Sequence, residues 1–450
     1  MRKVALFGAG YWGKMAYKSL CKNTDIICFI DNDSRKQGTD LFGIPIFSPD
    51  KLEYIVSNNI DVVIASSDYV SIEEDLDRYG IDNFEVWYEG HIYKDGRINH
   101  VGKKRCNRCI MDNHSDKTIL FDDEGNCNYC TYALSNIGKQ YLPDNKGKEQ
   151  LERIIKEIKE NGKGKKYDCI MGLSGGLDSS YLGYLGYKWG LRTLAVHIDD
   201  GFDTEISKLN LARLIRKTGF DYEVIKPDAK QFNDLTLAYM KAGVPNLAVP
   251  QDNVLFAFLY KKMQDYNIKY FLSGGNFSLE CILQKGNTYT AFDVENIVAI
   301  HNKFGTLPLD KLEFISREQI NENRNRYGME TYRLLNYIDY NKNRAFKELS
   351  EFCGFEYYGS KHLENILTAF IQLCWFPVKF DVDKRTSHLS SMIVSGQITR
   401  TEALEKLSEA PYDKSLMNSY IDIIKKRLEI SDDEFELIMK SETHQHEEYS

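Results

Sequence analysis

Residues 174–180 combine the residue types of a phosphate-binding loop. They read Ser-Gly-Gly-Leu-Asp-Ser-Ser and lie between an apolar run and a helical pattern. The first N–H groups of a helix have no partner within the helix and attract anions, and glycines let the backbone approach a phosphate chain closely. Asp178 adds a carboxylate, which suits a divalent metal ion that bridges it to the phosphates. A ligand-free tight turn between strand and helix would explain the glycines but not the Asp-Ser continuation.

No lysine follows these glycines, so the loop differs from that of the common nucleoside triphosphatases. It resembles the PP-loop of the ATP pyrophosphatases, which include GMP, NAD and asparagine synthetases and several tRNA-modifying enzymes. What the resemblance implies is cleavage of ATP between the α and β phosphates and formation of an adenylate. Asp199 ends a later strand and residues 273–276 follow another, at the sheet edge where such folds bind ligands.

The residues predicted to bind ATP are Ser174, Gly175, Gly176, Leu177, Asp178, Ser179, His197, Asp199, Ser273, Gly274, Gly275 and Asn276. Ser174, Asp178 and Asp199 are the predicted catalytic residues among them, with Mg²⁺ expected beside the phosphates.

Four cysteines form two close pairs: Cys106 with Cys109, and Cys127 with Cys130, separated by 17 residues. Two such pairs brought together by a hairpin supply the four thiolates of a tetrahedral Zn²⁺ site with no open position, which predicts a structural metal. An iron–sulfur cluster or a sulfur relay, as in some tRNA thiolases with a PP-loop, is the alternative. Zinc is favoured over both.

The N-terminus carries a glycine motif, with Gly8, Gly10 and Gly13 after an apolar strand and Asp31 at the end of the next strand. This pattern predicts a Rossmann-like unit. Residues 29–52 resemble the N-terminal domain of bacterial sugar acyltransferases, which implies a nucleotide-linked sugar as ligand. A degenerate unit used only for docking is an equal alternative, and redox use of NAD ranks behind both.

Basic side chains cluster in the C-terminal third of the chain. Such groups suit an anionic ligand, a carboxylate or a phosphate, although a solvated charged face would share the composition. The predicted substrate-binding residues are Lys361, His362, Lys379, Lys384, Arg385 and His388.

Strand and helix patterns place these residues in α/β units. Strands are predicted at residues 4–7, 26–30, 61–65, 168–173, 193–198, 222–226 and 270–272, with helical patterns between them, which favours parallel doubly wound sheets. We predict a Rossmann-like domain at 1–95, a four-cysteine module at 101–135, a PP-loop domain at 145–330 and a helical C-terminal region at 331–450. Residues 90–104 resemble a linker, and residues 441–450 are expected to fray.

Composition predicts a globular enzyme that binds neither nucleic acid nor membrane. The chain has 450 residues, 42% hydrophobic and 28% charged, and 66 acidic against 58 basic residues give a net charge of -8. Nucleic-acid binders usually carry a basic face. No apolar run of membrane-spanning length and no signal peptide is visible, which predicts a cytoplasmic protein. The six unpaired cysteines are then expected to be small buried hydrophobes.

Three further motifs identify a family. They are Tyr358-Gly359 with Lys361, His362 and Glu364; Lys379-Phe380 with residues 383–385; and residues 388–391 with 395–396. Together with a four-cysteine module before a PP-loop, they resemble the N-acetyl sugar amidotransferases, including the pseudaminic and legionaminic acid amidotransferases of lipopolysaccharide biosynthesis. The resemblance covers residues 101–415. One departure is Asp199-Asp200-Gly201, where Asp-Asn-Gly is expected.

The resemblance implies that an acetamido group is converted to an acetamidino group through adenylation of the amide oxygen and attack of ammonia. Position 2 is Arg rather than Cys, and no other glutaminase motif is visible, so a separate glutaminase subunit is expected to supply ammonia. The sugar can be a nonulosonic acid, free or CMP-activated, or a UDP-linked diacetamido sugar. The alternatives are a PP-loop tRNA thiolase or lysidine-type synthetase and a non-catalytic scaffold that binds sugar nucleotides.

Overall fold

The computed structural model describes residues 2–94, 104–359, 361 and 363–449. The chain forms two compact units, Met1–Leu134 and Ser135–Ser450. Each unit contains one sheet with helices packed against it, and the predicted α/β class with parallel sheets is confirmed.

The sheet of the first unit has the order β3-β4-β2-β1-β5-β6-β7. Its core strands pair in parallel, and the short edge pairs β3 with β4 and β6 with β7 are antiparallel. The strands are β1 (Arg2–Phe7), β2 (Thr24–Ile30), β3 (Asp40–Leu41), β4 (Ile44–Phe47), β5 (Asp61–Ile64), β6 (Phe84–Tyr88) and β7 (His91–Lys94). The helices are α1 (Tyr11–Leu20), α2 (Leu52–Ser57) and α3 (Tyr69–Arg78), with a 3₁₀ turn at Pro49–Lys51, and α4 (Asn128–Asn136) begins in this unit and ends just beyond its boundary.

Part of the predicted linker at 90–104 is strand β7 instead. It pairs with β6, and Tyr93 is buried in the core beneath the sheet, so this side chain fixes the segment. Residues 95–103 of the predicted linker lie outside the described residues.

The second unit has a five-stranded parallel sheet in the order β10-β9-β8-β11-β12. Its strands are β8 (Cys169–Gly172), β9 (Thr193–Ile198), β10 (Asp221–Ile225), β11 (Tyr270–Leu272) and β12 (Glu330–Tyr332). The chain leaves the central strand β8 to one side first and returns to the other side with β11. Such a change of direction opens a crevice at the carboxyl ends of the strands, where doubly wound folds bind ligands.

Fifteen helices of the described residues complete this unit. They are α5 (Asn145–Asn161), α6 (Leu177–Lys188), α7 (Glu205–Thr218), α8 (Ala229–Ala242), α9 (Val249–Asp265), α10 (Phe277–Glu280), α11 (Val294–Phe304), α12 (Arg317–Tyr327), α13 (Lys342–Cys353), α14 (Ile366–Phe370), α15 (Phe376–Phe380), α16 (Arg385–Val394), α17 (Arg400–Ser408), α18 (Lys414–Leu428) and α19 (Asp432–Lys440). Short 3₁₀ turns lie at Lys285–Asn287, Leu334–Tyr337 and His446–Tyr449, and a π-helical turn, Ile371–Trp375, joins α14 to α15. Among these helices none is long and apolar enough to cross a membrane.

The C-terminal helices share one hydrophobic core with the loops and helices that connect the strands of the sheet. Trp375 is fully buried there, and its indole N–H donates to the carbonyl of Val244 over 3.0 Å. Phe202, from the loop after β9, packs in the same cluster as Phe370 and Ile424. The segments that connect the strands and the C-terminal third therefore stabilise each other.

The last residues are ordered, contrary to the fraying expected for 441–450. His446 and Tyr449 are buried, and the Tyr449 hydroxyl donates to the carbonyl of Ala242 over 2.8 Å. The Asn296 side chain donates to the His446 carbonyl over 2.6 Å. Two aromatic anchors thus hold a tail whose polar composition suggested a free end; Ser450 itself lies outside the described residues.

Candidate active site

The PP-loop (residues 174–179) connects the central strand β8 to helix α6. Gly175 has a φ of 78°, and a Cβ there would lie 2.3 Å from the carbonyl oxygen of Ser207, so only glycine fits. The Ser174 and Ser179 hydroxyls lie 3.2 Å apart, and the Gly176 N–H donates to Ser174 Oγ over 3.2 Å. The loop therefore curls around the start of α6, where the helix presents N–H groups to an anion.

A cleft of about 440 Å³ opens over the PP-loop. Ser174, Asp178, Ser179, His197, Ser273, Gly274 and Gly275 are predicted ATP-binding residues that line it. Gly274 permits a close approach of two loops, since a Cβ there would lie 3.0 Å from the backbone nitrogen of Ser179. The structure thus brings together the ends of β8, β9 and β11, as the sequence predicts. Asn276 instead caps α10, with its side-chain oxygen accepting from the Leu279 N–H.

Asp178 lies half-buried in the first turn of α6 and faces this cleft. Its Oδ1 accepts a hydrogen bond from the hydroxyl of Tyr340. Burial raises the pKa of the carboxyl and Glu280 adds to the rise, whereas Lys361 and the Tyr340 hydrogen bond oppose it. Asp178 Oδ2 accepts no hydrogen bond from the described residues, so the carboxylate fits a role as ligand of a divalent cation.

Lys361 supplies positive charge in the cleft. Its Nζ lies 2.8 Å from Glu280 Oε1. Burial would lower the pKa of the ammonium, but the carboxylates of Glu280 and Asp178 outweigh that effect and raise it. Lys361 is therefore charged and lies close to where phosphates would meet the PP-loop.

Tyr358 and Glu364, from the C-terminal region, lie against the PP-loop. The Leu177 N–H donates to the Tyr358 hydroxyl over 2.9 Å, and the Thr204 N–H donates to the carbonyl of Glu364 over 3.1 Å. A Cβ at Gly176 would lie 2.9 Å from Glu364 Oε1. Burial raises the pKa of Glu364 to about 7, and its Oε2 has no hydrogen-bond partner among the described residues.

His197 is buried at the end of β9, and both of its ring nitrogens are occupied. Nδ1 lies 2.8 Å from the carbonyl oxygen of Leu173, and Nε2 lies 2.8 Å from Asp203 Oδ2. Burial would lower the pKa of the imidazole, but Asp203 and the Leu173 carbonyl outweigh it and raise the pKa. His197 thus braces the strand end beneath the PP-loop rather than offering a nitrogen to a ligand.

Asp199 does not line the cleft, although it was predicted to be catalytic. The chain turns at Gly201, and the Asp199 carboxylate accepts from the Gly201 N–H over 3.0 Å and pairs with Lys226 over 3.0 Å. The next residue, Asp200, lines the cleft, where it accepts from the side chains of Gln251 and Asn365. Asp200, which stands where Asn is expected in the Asp-Asn-Gly motif, is therefore the residue that faces the cleft.

We call the cleft over the PP-loop the PP-loop lobe. A second lobe of about 250 Å³ adjoins it, and we call this one the acceptor lobe. Lys361, Lys384, Arg385 and His388 line it, so four of the six predicted substrate-binding residues come together. The Arg385 guanidinium donates hydrogen bonds to Asp383 over 2.7 Å and to carbonyls at the end of α17. His388 Nδ1 lies 3.1 Å from the Leu279 carbonyl.

One of the described substrate-binding candidates, Lys379, does not lie in the acceptor lobe. Lys379 donates to the carbonyls of Ile438 and Ser441 over 2.7 and 2.9 Å at the end of α19, because its side chain points toward that helix. His362 lies outside the described residues.

Sequence reasoning missed several residues of the cleft. Tyr358 and Glu364 belong to a motif that was recognised only as a family signature. Asp252 and Glu280 carried no local signal, because each depends on the tertiary fold to reach the cleft, and the same holds for Tyr340, which lies behind Asp178 and hydrogen-bonds to it.

The four paired cysteines form a compact, fully buried cluster in the first unit. Their sulfur atoms all lie within 4.8 Å of one another, with Cys106 to Cys130 at 3.7 Å and Cys109 to Cys127 at 3.5 Å. A tetrahedral zinc ion with bonds of about 2.3 Å sets its sulfurs about 3.8 Å apart. A cubane cluster, which interposes four irons between its thiolates, spreads the sulfurs farther. The spacing fits one tetrahedral ion.

The N-terminal glycine motif borders a separate cleft of about 420 Å³ in the first unit. Gly8, Gly10 and Asp31 line it, whereas Gly13 lies behind, where a Cβ would meet the Gly8 carbonyl oxygen at 1.9 Å. Asp31 accepts from the Ala9 N–H over 2.8 Å and pairs with Lys36 over 3.0 Å. The carboxylate predicted to contact a ligand thus holds the glycine loop.

Two family models match the chain. Residues 364–450 match the C-terminal domain of WbpG-like LPS biosynthesis proteins. Residues 1–87 match the C2185-like N-terminal domain. The first match confirms the predicted relationship to proteins of lipopolysaccharide biosynthesis, and it covers the segment that lines the acceptor lobe from Lys384 to His388.

Two curated proteins are similar to parts of the chain. A glutamine-hydrolyzing GMP synthase of Pyrobaculum aerophilum is 40% identical over 99 residues, 22% of this chain and 18% of that enzyme. The redox-sensing transcriptional repressor Rex of an Exiguobacterium species is 41% identical over 85 residues, 17% of this chain and 39% of that protein. The chain thus spans less than two fifths of either relative.

Among solved structures, the U34-tRNA thiolase NcsA of Methanococcus maripaludis, with its [4Fe-4S] cluster, is similar at 15% identity. The likeness covers 61% of this chain and 80% of that chain, with a TM-score of 0.28. Nothing about the ligands of this chain follows from a likeness at that level.

Proposed function

The chain joins a PP-loop ATP-binding unit to the C-terminal domain of WbpG-like proteins of lipopolysaccharide biosynthesis, and on that premise we propose that it is a sugar amidotransferase. It converts an acetamido group of a bacterial surface sugar to an acetamidino group at the expense of ATP. The observation that carries the proposal is that the WbpG-like segment lines the acceptor lobe, which opens directly into the PP-loop lobe.

In the proposed reaction the PP-loop holds the β and γ phosphates of ATP. The N–H groups at the start of α6 and the ammonium of Lys361 face the charge of the departing pyrophosphate. Asp178 is the residue that would hold Mg²⁺, which when bound neutralises charge on the phosphates. The acceptor sugar lies in the acceptor lobe, with its amide oxygen directed at the α-phosphorus.

The chemistry proceeds in two displacements. The amide oxygen attacks the α-phosphorus, and pyrophosphate leaves. Ammonia then adds to the imidate carbon, and the C–O bond to AMP breaks with its electron pair leaving on the phosphate oxygen. The oxygen of the acetamide ends in AMP, and NH takes its place in the sugar.

We propose that ammonia comes from a separate glutaminase subunit. The support is that the sequence contains no glutaminase motif of its own. A purified chain that used glutamine as readily as ammonium, with no added protein, would contradict this part of the proposal.

We propose Zn²⁺ as the ion of the four-cysteine cluster. Four buried thiolates at the spacing of a single tetrahedral ion, with no other ligand type beside them in the described part of the chain, leave no open position for a substrate. The ion would hold the loops of the first unit together and take no part in the reaction.

The direct test is incubation of the purified chain with ATP, ammonium and a panel of acetamido sugars, free, CMP-linked and UDP-linked. The expected result is AMP, pyrophosphate and a sugar in which NH replaces oxygen, as detected by mass spectrometry. Asp178→Asn should abolish all three products, and Asp422→Asn on the exposed face of α18 serves as the control. AMP formation on tRNA, with no product from any sugar, would support the thiolase or lysidine-type alternative instead.

A further inference from the structure

One carboxylate lies where the PP-loop lobe and the acceptor lobe join. Asp252 is in the first turn of α9, and its side chain lines both lobes. The other residues common to the two lobes are Ala248, Glu280, Lys361 and Gln372. In the proposed reaction, the acceptor group that reacts with ATP lies at this junction.

Asp252 differs from the other carboxylate at the junction. Glu280 is paired with Lys361 over 2.8 Å, so its negative charge is already engaged. Asp252 forms no hydrogen bond or ion pair through its side chain within the part of the chain that the structure describes, and it remains accessible in the cleft. The side chain is exposed to the cleft, and partial desolvation by the surrounding protein raises the pKa of the carboxyl to about 7. A carboxyl of that basicity can exchange a proton with nitrogen at neutral pH.

We propose that Asp252 is the general base of the amidation step, an assignment that rests on the proposed function. Ammonia forms a bond to the imidate carbon with its lone pair, and the nitrogen becomes positively charged. The Asp252 carboxylate takes one proton from that nitrogen, and the C–O bond to AMP breaks with its electron pair on the phosphate oxygen. The product is an acetamidinium group, and the proton on Asp252 leaves to solvent before the next cycle.

This role separates the two half-reactions. Adenylation needs no proton transfer from nitrogen, so it should proceed without Asp252. The rate of attack by ammonia should fall, because loss of a positioned general base lowers a rate by about 100-fold or more. Hydroxylamine is a much weaker base than ammonia and reaches the imidate already neutral, so its adduct loses a proton readily without help.

The experiment compares Asp252→Asn with the unmodified chain in three assays with one acceptor sugar: ATP–pyrophosphate exchange, amidine formation with ammonium, and N-hydroxyamidine formation with hydroxylamine. We expect exchange within about 3-fold of the unmodified chain, a loss of about 100-fold with ammonium, and a loss of less than 10-fold with hydroxylamine. Asp265→Asn, at the exposed C-terminal end of the same helix, is the matched control and should leave all three rates unchanged.

Retained exchange shows that the variant is folded, so the assays themselves control for misfolding. Equal losses with ammonium and hydroxylamine, or an unimpaired ammonium rate, would overturn the role of Asp252. Loss of exchange in Asp252→Asn would also overturn it and would place the residue in adenylation. If the unmodified chain shows no sugar-dependent exchange, the proposed function fails, and the inference fails with it.

Discussion

At the residue scale, the contact between Tyr340 and Asp178 ties the PP-loop to the segment before α13. The hydroxyl opposes the rise that burial imposes on the pKa of Asp178, and so helps the carboxylate remain ionised. A hydrogen bond to a charged group contributes about 1.5–3 kcal/mol.

Tyr340→Phe should therefore raise the pKa of Asp178 further and reduce ATP–pyrophosphate exchange by about 10-fold at the acidic end of the pH profile. The deficit should shrink as the pH rises, since the carboxylate ionises again. Exchange rates across the pH range measure this, with Tyr327→Phe on α12 as the control. A pH-independent loss would assign Tyr340 a purely structural role.

The buried pair of His197 and Asp203 makes a second residue-scale prediction. The folded pKa of His197 lies above its usual value of 6.5, since Asp203 and the Leu173 carbonyl outweigh the effect of burial. Its contribution to stability is therefore fully present below pH 6.5 and is lost as the pH rises through the raised folded pKa. The difference in unfolding free energy between the unmodified chain and His197→Gln should shrink across that window, as denaturant melts at several pH values would measure. A difference in unfolding free energy that grew with pH would contradict the raised pKa of His197.

Residue types near a motif could be read from the sequence, but the direction of individual side chains could not. The SGGLDS segment identified Ser174 and Asp178, and both line the cleft. At the end of β9 two aspartates stand side by side, and only the turn at Gly201 decides that Asp200 faces the cleft while Asp199 pairs with Lys226. Asp252 is absent from every local pattern, since the packing of α9 alone brings it to the junction.

At the scale of elements, the PP-loop depends on the backbone conformation of Gly175. Gly175→Ala adds both the strain of a positive φ and a clash with the Ser207 carbonyl. We expect a loss of stability of about 1–3 kcal/mol and of most ATP–pyrophosphate exchange. Gly164→Ala is the matched control: its φ of 77° is nearly the same, but a Cβ there meets nothing within 4 Å. Equal effects of the two variants would show that the close approach to Ser207 is unimportant.

The four-cysteine cluster predicts one zinc ion per chain. Cys127→Ser removes one of four buried ligands and should release the metal, because structural zinc sites fold only with a complete ligand set. Metal analysis of the purified protein gives the readout, and Cys21→Ser, at an exposed cysteine, should retain the ion. Iron with visible charge-transfer absorbance would argue for a cluster instead.

Strands with a distinct apolar run were predictable from sequence, and the short strands at the sheet edges were not. Strands β9 and β11 begin and end where their apolar runs do. Strands β3, β7 and β12 are two to four residues long, and their pairing depends on neighbours distant in sequence. The π-helical turn before α15 had no visible pattern either; Pro377 follows it and has no N–H to continue a regular ladder.

At the scale of the molecule, the C-terminal tail closes the core of the second unit. Removal of residues 442–450 takes away the buried side chains of His446 and Tyr449 and should destabilise this unit by about 5 kcal/mol. Tyr449→Phe is the control, since it loses only the hydrogen bond to Ala242, worth about 1 kcal/mol. Thermal unfolding followed by circular dichroism measures both changes. A truncated chain as stable as the control variant would show that the tail adds nothing to the core.

The α/β class and the meeting of strand ends over the PP-loop could be predicted for the molecule as a whole. The packing of the C-terminal third into the core of the second unit could not be predicted. Apolar positions spread over many short helices indicate which side chains are buried but not which part of the chain they pack against. Phe202 and Trp375 lie far apart in sequence and pack in one core.

The contacts of Tyr358 and Glu364 with the PP-loop bear on how domains of such enzymes can be exchanged. Tyr358 accepts from the backbone of Leu177, and Glu364 lies against Gly176, so part of the nucleotide site comes from the region that also lines the acceptor lobe. A chimera that carried another protein's C-terminal domain would exchange both surfaces at once. On the proposed function, its affinity for ATP would change together with its choice of acceptor, and the two properties would be inherited as a single unit.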